Sequence, residues 1–145
     1  MKFLYFINSK SRNKTLPAVE DWASVLKNIR QPLQSLQYLE KPARIRALRE
    51  LSGQRIRSSQ PIDQMFDLDG FAGQVAGVRG VLTISNTTAH LARALCVPCV
   101  VVLDNGSITN WPDQGETTPL YPSTRLIRRG SDDWATTLRR GWRTL

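Results

Sequence analysis

Residues 81–103 read VLTISNTTAHLARALCVPCVVVL, and no other stretch constrains the fold as strongly. An apolar run, residues 81–84, meets the polar tetrad Ser85-Asn86-Thr87-Thr88. A helical pattern follows, then Pro98, then a second apolar run, residues 99–103. The order strand, tight turn, helix, strand is one βαβ unit of a parallel sheet. It puts Ser, Asn and two Thr where a helix N-terminus faces the end of that sheet. Such a terminus offers unpaired N–H groups and about half a positive charge, which suits a phosphate. A simpler reading also fits: an ordinary crossover with a well-capped helix.

The same alternation runs along the whole chain. Residues 2–7 are nearly all apolar, as expected of a strand buried on both faces. A polar, basic loop, residues 8–15, follows. Leu16-Pro17 opens a helix, since Pro is tolerated in a first turn, and Val19, Trp22, Val25, Leu26 and Ile29 recur at helical spacing. Residues 32–39 fit a second strand. Pro42 starts a second helix with Ile45, Leu48 and Leu51 inward, and Gly53 ends it. Residues 54–58 fit a short third strand. Asp67 or Asp69 caps a helix over residues 71–78, in which Gly73 and Gly77 each cost about 1 kcal/mol relative to Ala. Residues 104–121 form a long irregular segment, which in a compact domain is usually functional or flexible. Residues 124–128 fit an edge strand. Ser131 then caps a last helix, with Asp132 and Asp133 in its first turn and Trp134, Leu138, Trp142 and Leu145 on one face.

The predicted fold is α/β: a Rossmann-like three-layer α/β/α domain with a mostly parallel sheet. Ligands on such sheets bind beyond the carboxyl ends of the strands. Both polar loops of interest, residues 8–15 and 85–88, follow strands at that end.

At 145 residues the chain is a single domain with room for a real core. No apolar run approaches the ~20 residues that span a bilayer. The N-terminal apolar run is shorter than the roughly 7–15 residues of a signal-peptide core, and no small-residue cleavage site follows. The expected location is therefore cytoplasmic. A net charge of +8 favours anionic partners: nucleotides, nucleic acid or an anionic membrane surface. Arginines crowd residues 125–143 and 44–57, and a solvated basic surface accounts for most of them. No RNA-recognition aromatic motif, zinc-finger spacing or basic zipper is present, so nucleic acid is a minor reading. Cys96-Val97-Pro98-Cys99 has redox-pair spacing, but it sits between a helix end and a strand start. Two small buried residues at that turn is the preferred reading. No acidic cluster has metal-ligand spacing.

The segment Ser85-Asn86-Thr87-Thr88-Ala89-His90-Leu91-Ala92-Arg93-Ala94-Leu95-Cys96-Val97-Pro98 resembles the nucleotide-sugar-binding segment of GT-B glycosyltransferases. The nearest pattern is that of the heptosyltransferase-like family and of glycosyltransferase domains linked to tetratricopeptide repeats. The Ser-to-His-to-Pro spacing is kept. Lys14-Thr15-Leu16-Pro17 ahead of Trp22, Leu68-Asp69-Gly70-Phe71-Ala72, and Trp111 followed by Tyr121-Pro122-Ser123-Thr124-Arg125-Leu126 extend the likeness over most of the chain. Only the central motif and the Tyr-Pro-x-x-Arg stretch are specific.

The resemblance implies the C-terminal, donor-binding half of such an enzyme. The acceptor half, which in the heptosyltransferase-like family supplies the acidic general base, has no counterpart here, so no catalytic residue is assigned. The expected ligand is a nucleotide-diphosphate sugar, bound as substrate, with no resident cofactor and no metal. The expected binding residues are Lys14, Ser85, Asn86, Thr87, Thr88, His90 and Asp104. Asn86, Thr87 and Thr88 would present donors to the diphosphate, and Lys14 would neutralise it as a point charge. His90 would reach a phosphate or sugar hydroxyl, or else pack against the sheet or a loop. Asp104 would meet ribose hydroxyls. The family's usual Asp two residues after its Ser does not align simply here: Asn86 follows Ser85 directly and Thr87 takes the neighbouring slot, and if Asn86 replaces that Asp, one negative charge near the diphosphate or sugar is lost. Catalysis would need a partner chain, a homo-oligomer or a further domain to complete the cleft. A non-catalytic remnant or interaction module of the same fold, and a basic nucleic-acid-binding domain, are the alternatives.

Overall fold

Every residue of Gly80–Ile84 is buried, and so is every residue of Cys99–Leu103. Strands this apolar on both faces need helices above and below them. The computed structural model describes residues 3–5, 15–37, 41–58, 62–105 and 111–145. In chain order its elements are β1 (Phe3–Tyr5), α1 (Val19–Leu26), β2 (Leu33–Ser35), α2 (Pro42–Ser52), β3 (Ile56–Arg57) and α3 (Leu68–Ala76). They continue with β4 (Gly80–Ile84), α4 (Thr87–Ala94), β5 (Cys99–Leu103), β6 (Thr124–Arg128) and α5 (Trp134–Thr144).

The strands form one six-stranded sheet in the order β3-β2-β1-β4-β5-β6. Every ladder is parallel. The chain works outward from β1 to β3, then returns to the other side of β1 with β4. The crevice between β1 and β4 is therefore the topological switch point, where ligands of open α/β sheets bind.

Alternation along β4 and β5 divides the core in two. Leu82, Ile84, Val100 and Val102 face Trp22 and Leu26 of α1, Ile45 and Leu48 of α2, and Trp134 and Leu138 of α5. Val81, Cys99, Val101 and Leu103 face Phe71 and Val75 of α3, Ala89 and Ala92 of α4, and the loop residue Trp111. Gly141 lets α5 lie close against the sheet. A Cβ there would lie 2.8 Å from Leu82 Cδ1 and 3.2 Å from methyls of Val100 and Val102.

Each sheet edge has contacts from neighbouring segments, which reduces its unpaired backbone. At β3, Arg49 of α2 donates through Nε to the Ile56 carbonyl at 3.0 Å. At β6, Thr117 pairs antiparallel with Arg125, and the Leu126 N–H donates to the Glu116 carbonyl at 2.9 Å.

Several local expectations shift. α1 begins at Val19, two residues beyond Pro17, and Asp21 Oδ2 accepts the Ala18 N–H at 2.8 Å. β2 occupies three of the residues expected. Leu51 is half exposed, whereas Ile45 and Leu48 are buried as expected. Gly53 closes α2 in the left-handed region at φ 68°. Asp67 caps α3 and accepts the Gly70 N–H. The cap of α5 is Asp133 rather than Ser131: its Oδ1 accepts the Thr136 N–H at 2.7 Å, leaving Asp132 to pair with Arg140.

At the Cys-x-x-Cys turn only Cys99 is buried; Cys96 is exposed, and both thiols are free. Cys96 has φ 55°. Its N–H donates to the Arg93 carbonyl, and the Val97 N–H reaches back to that of Ala92. This is the Schellman ending of a helix, in which Cys96 takes the left-handed position that glycine usually fills. Among the described residues no helix is long and apolar enough to cross a membrane, and no group of three His, Cys, Asp or Glu can hold a metal ion.

Candidate functional site

The carboxyl end of β4 runs directly into the start of α4, at the switch point. Asn86 is the N-cap, in extended backbone conformation. Its Oδ1 accepts the Ala89 N–H at 3.0 Å, and its Nδ2 donates to Thr83 Oγ1 at 3.1 Å. The side chain is thus held at both ends, one on the helix and one on the last turn of the strand. The first N–H groups of a helix have no partner within it. Asn86 satisfies that of Ala89. Thr87 is exposed. Thr88 is fully buried, and its Oγ1 has no hydrogen-bond partner.

Ser85 is buried and accepts the Trp111 Nε1–H at 2.8 Å. The Trp111 ring also stacks on His90, with centroids 5.5 Å apart and planes 20° from parallel. On the next turn of α4, Arg93 lies with its guanidinium carbon 4.4 Å from the Trp111 ring centre and 3.4 Å from that of Tyr121. Its Nη1 is 3.3 Å from His90 Nδ1. Burial lowers the Arg93 pKa from its usual value, while the fields of Tyr121 and Cys99 oppose that shift. His90 is therefore packed against the loop between β5 and β6, as the simpler of its two readings expects. Arg128 fixes the same loop from the other side, donating to the Pro112 and Gly115 carbonyls.

Asp104 stands at the carboxyl end of β5. It shares a small hollow with Thr15, Leu16, Ile84, Ser85, Val102 and Trp134. Arg129 Nε donates to its Oδ1 at 2.8 Å. Burial works to raise the Asp104 carboxyl, but hydrogen bonds from the Asn105 N–H, Arg129 and Thr15 hold it below its ordinary range.

The structure thus gathers Ser85, Asn86, Thr87, Thr88 and Asp104 at one edge of the sheet and places His90 one turn further along α4. Lys14 lies outside the described residues. Sequence reasoning did not single out Arg93 or Arg129. Arg93 had one usable signal, its i, i+3 spacing from His90 on the face that meets the loop.

Sheet order, all-parallel pairing and a capped helix start at the switch point define a Rossmann-like α/β domain. Among solved structures the chain is similar to E. coli heptosyltransferase WaaC with ADP-2-deoxy-2-fluoro heptose, at TM-score 0.64 and 15% identity, over 98% of this chain and 42% of that one. The similarity to E. coli heptosyltransferase WaaC with ADP is alike: TM-score 0.63, 16% identity, 98% of this chain and 43% of that one. The likeness at this identity is one of fold, and the chain spans less than half of each solved structure. No protein-family model and no curated protein matches the sequence.

Proposed function

We propose that this domain binds a nucleotide-diphosphate sugar at the start of α4, as the donor half of a glycosyltransferase. The observation that carries the reading is the start of α4 itself, fixed at the switch point by the Asn86 cap, since the first N–H groups of a helix have no partner within it. The helix dipole adds about half a positive charge at that spot. Support comes from a shared fold with a heptosyltransferase solved with ADP. Asp104, kept ionised across the hollow from Ser85, is suited to accept from ribose hydroxyls.

Glycosyl transfer needs positive potential to stabilise the leaving diphosphate and a base to activate the acceptor. The start of α4 supplies the first. The second must come from a partner or a further domain. Calorimetric titration with UDP, ADP and GDP tests the reading, with Asn86→Ala/Thr87→Ala as control. One diphosphate should bind saturably and be lost in the double variant. Absence of binding up to millimolar ligand rejects donor binding by this chain alone.

An interaction surface on the same edge is favoured by a separate observation. Met65, Phe66 and Leu68, at the start of α3, are 53%, 91% and 60% exposed. Clustered exposed apolar side chains mark docking faces. Light scattering of the wild type and of Phe66→Ser tests self-association through them.

A further inference from the structure

The opposite edge of the sheet carries a second concave surface. The connections that enter β2 and β3 line a groove of about 510 Å³, formed by Arg30, Gln31, Pro32, Leu33, Gly53, Gln54, Arg55, Ile56 and Arg57. These residues precede or begin their strands, so the groove opens at the amino ends, away from Asn86 and Asp104. Its volume is that of an ordinary small-ligand site.

The charge in the groove is all of one sign. Arg30, Arg55 and Arg57 are exposed, and no carboxylate lines the surface. The Arg129–Asp104 and Arg140–Asp132 ion pairs lie outside the groove. Ile56 enters the core, and alternation turns its neighbours Arg55 and Arg57 together to the other side of the strand. Arg49 keeps the Ile56 carbonyl satisfied, so β3 is fixed beneath them. A concave surface focuses such a field, and guanidinium forks match phosphate oxygens in geometry as well as charge. The groove has no aromatic side chain on which a nucleic-acid base can stack.

We propose that this groove is a binding site for clustered phosphate groups, held by Arg30, Arg55 and Arg57. The chemistry is that of clustered phosphates, joined in a free short oligophosphate or gathered as neighbouring phosphate headgroups on an anionic lipid surface. It is separate from the donor site and stands whether or not that site binds nucleotide.

The test measures binding of tripolyphosphate and of mixed phosphatidylcholine–phosphatidic acid vesicles to four proteins. These are wild type, Arg30→Gln/Arg55→Gln/Arg57→Gln, the charge-matched Arg46→Gln/Arg139→Gln/Arg143→Gln, and Asn86→Ala/Thr87→Ala. Thermal unfolding confirms that each is folded. Affinity for at least one probe should fall tenfold or more in the groove variant and stay unchanged in the charge-matched variant. Loss for tripolyphosphate only marks a soluble ligand; loss for vesicles marks a headgroup. Equal loss in the charge-matched variant, loss only in the Asn86 variant, or no binding of either probe by wild type overturns the proposal.

Discussion

The Trp111 indole N–H donates to Ser85 Oγ at 2.8 Å across twenty-six positions of sequence. That bond ties the loop between β5 and β6 to the residue that follows β4. The same indole stacks on His90 and lies under Arg93. The loop is therefore part of the floor of the candidate site.

Trp111→Phe keeps an aromatic ring against His90 and removes the donor to buried Ser85. The expected loss is about 1 kcal/mol. Trp111→Ala removes the stack as well and leaves a cavity, at about 3–5 kcal/mol. Urea unfolding of both variants checks the ranking. Equal stabilities would mean that the indole contributes nothing beyond its N–H.

The Asn86 cap makes a narrower demand. Asn86→Ala removes the acceptor for the Ala89 N–H and the donor to Thr83. Caps of this type contribute about 1 kcal/mol. Asn86→Ser, which can still accept from the helix, should recover most of the loss in the same unfolding measurement.

The two cysteines should react very differently. Burial pushes the Cys99 thiol up to about 12, so its thiolate is scarce at neutral pH. Cys96 is exposed. A disulfide reagent such as DTNB should label one thiol in the native protein and both after unfolding. Cys96→Gly removes both the fast reaction and the left-handed strain, and should raise stability by about 0.5–1 kcal/mol.

Asp104 sets a pH dependence. Its carboxyl is held below the unfolded value of about 3.9. A depressed acid contributes stability that is present above the unfolded pKa and lost as pH falls through the folded one. Stability should therefore fall from about pH 4 downward, and less steeply in Asp104→Asn. Matching slopes in wild type and variant would remove Asp104 as the cause.

The order of elements was legible in the sequence because strands buried on both faces leave continuous apolar runs. Residues 99–103 were read to their true ends, and the start of α4 at Thr87 was read from the polar tetrad. Ends that depend on one side chain's geometry were not. Ser131 and Asp133 are both good caps by type, and only the position of the Thr136 N–H selects Asp133. Leu51 keeps helical spacing with Leu48, yet it falls near the end of α2, where the core no longer reaches. The clasp of Trp111, Arg93 and Tyr121 was illegible for a different reason: it joins α4 to a loop that periodicity does not describe. Of the candidate site, Ser85, Asn86 and the two threonines were readable as a capped helix start. The bonding of Ser85 to Trp111 and of Asp104 to Arg129 was not.

The central claim is that a nucleoside diphosphate binds the start of α4. Amide proton–nitrogen spectra recorded during titration with ADP, UDP and GDP in turn test it most directly. The prediction is saturable movement of the Thr87 and Thr88 amides with one of the three nucleotides. Spectra in which Thr87 and Thr88 stay fixed with all three nucleotides at millimolar concentration would contradict it.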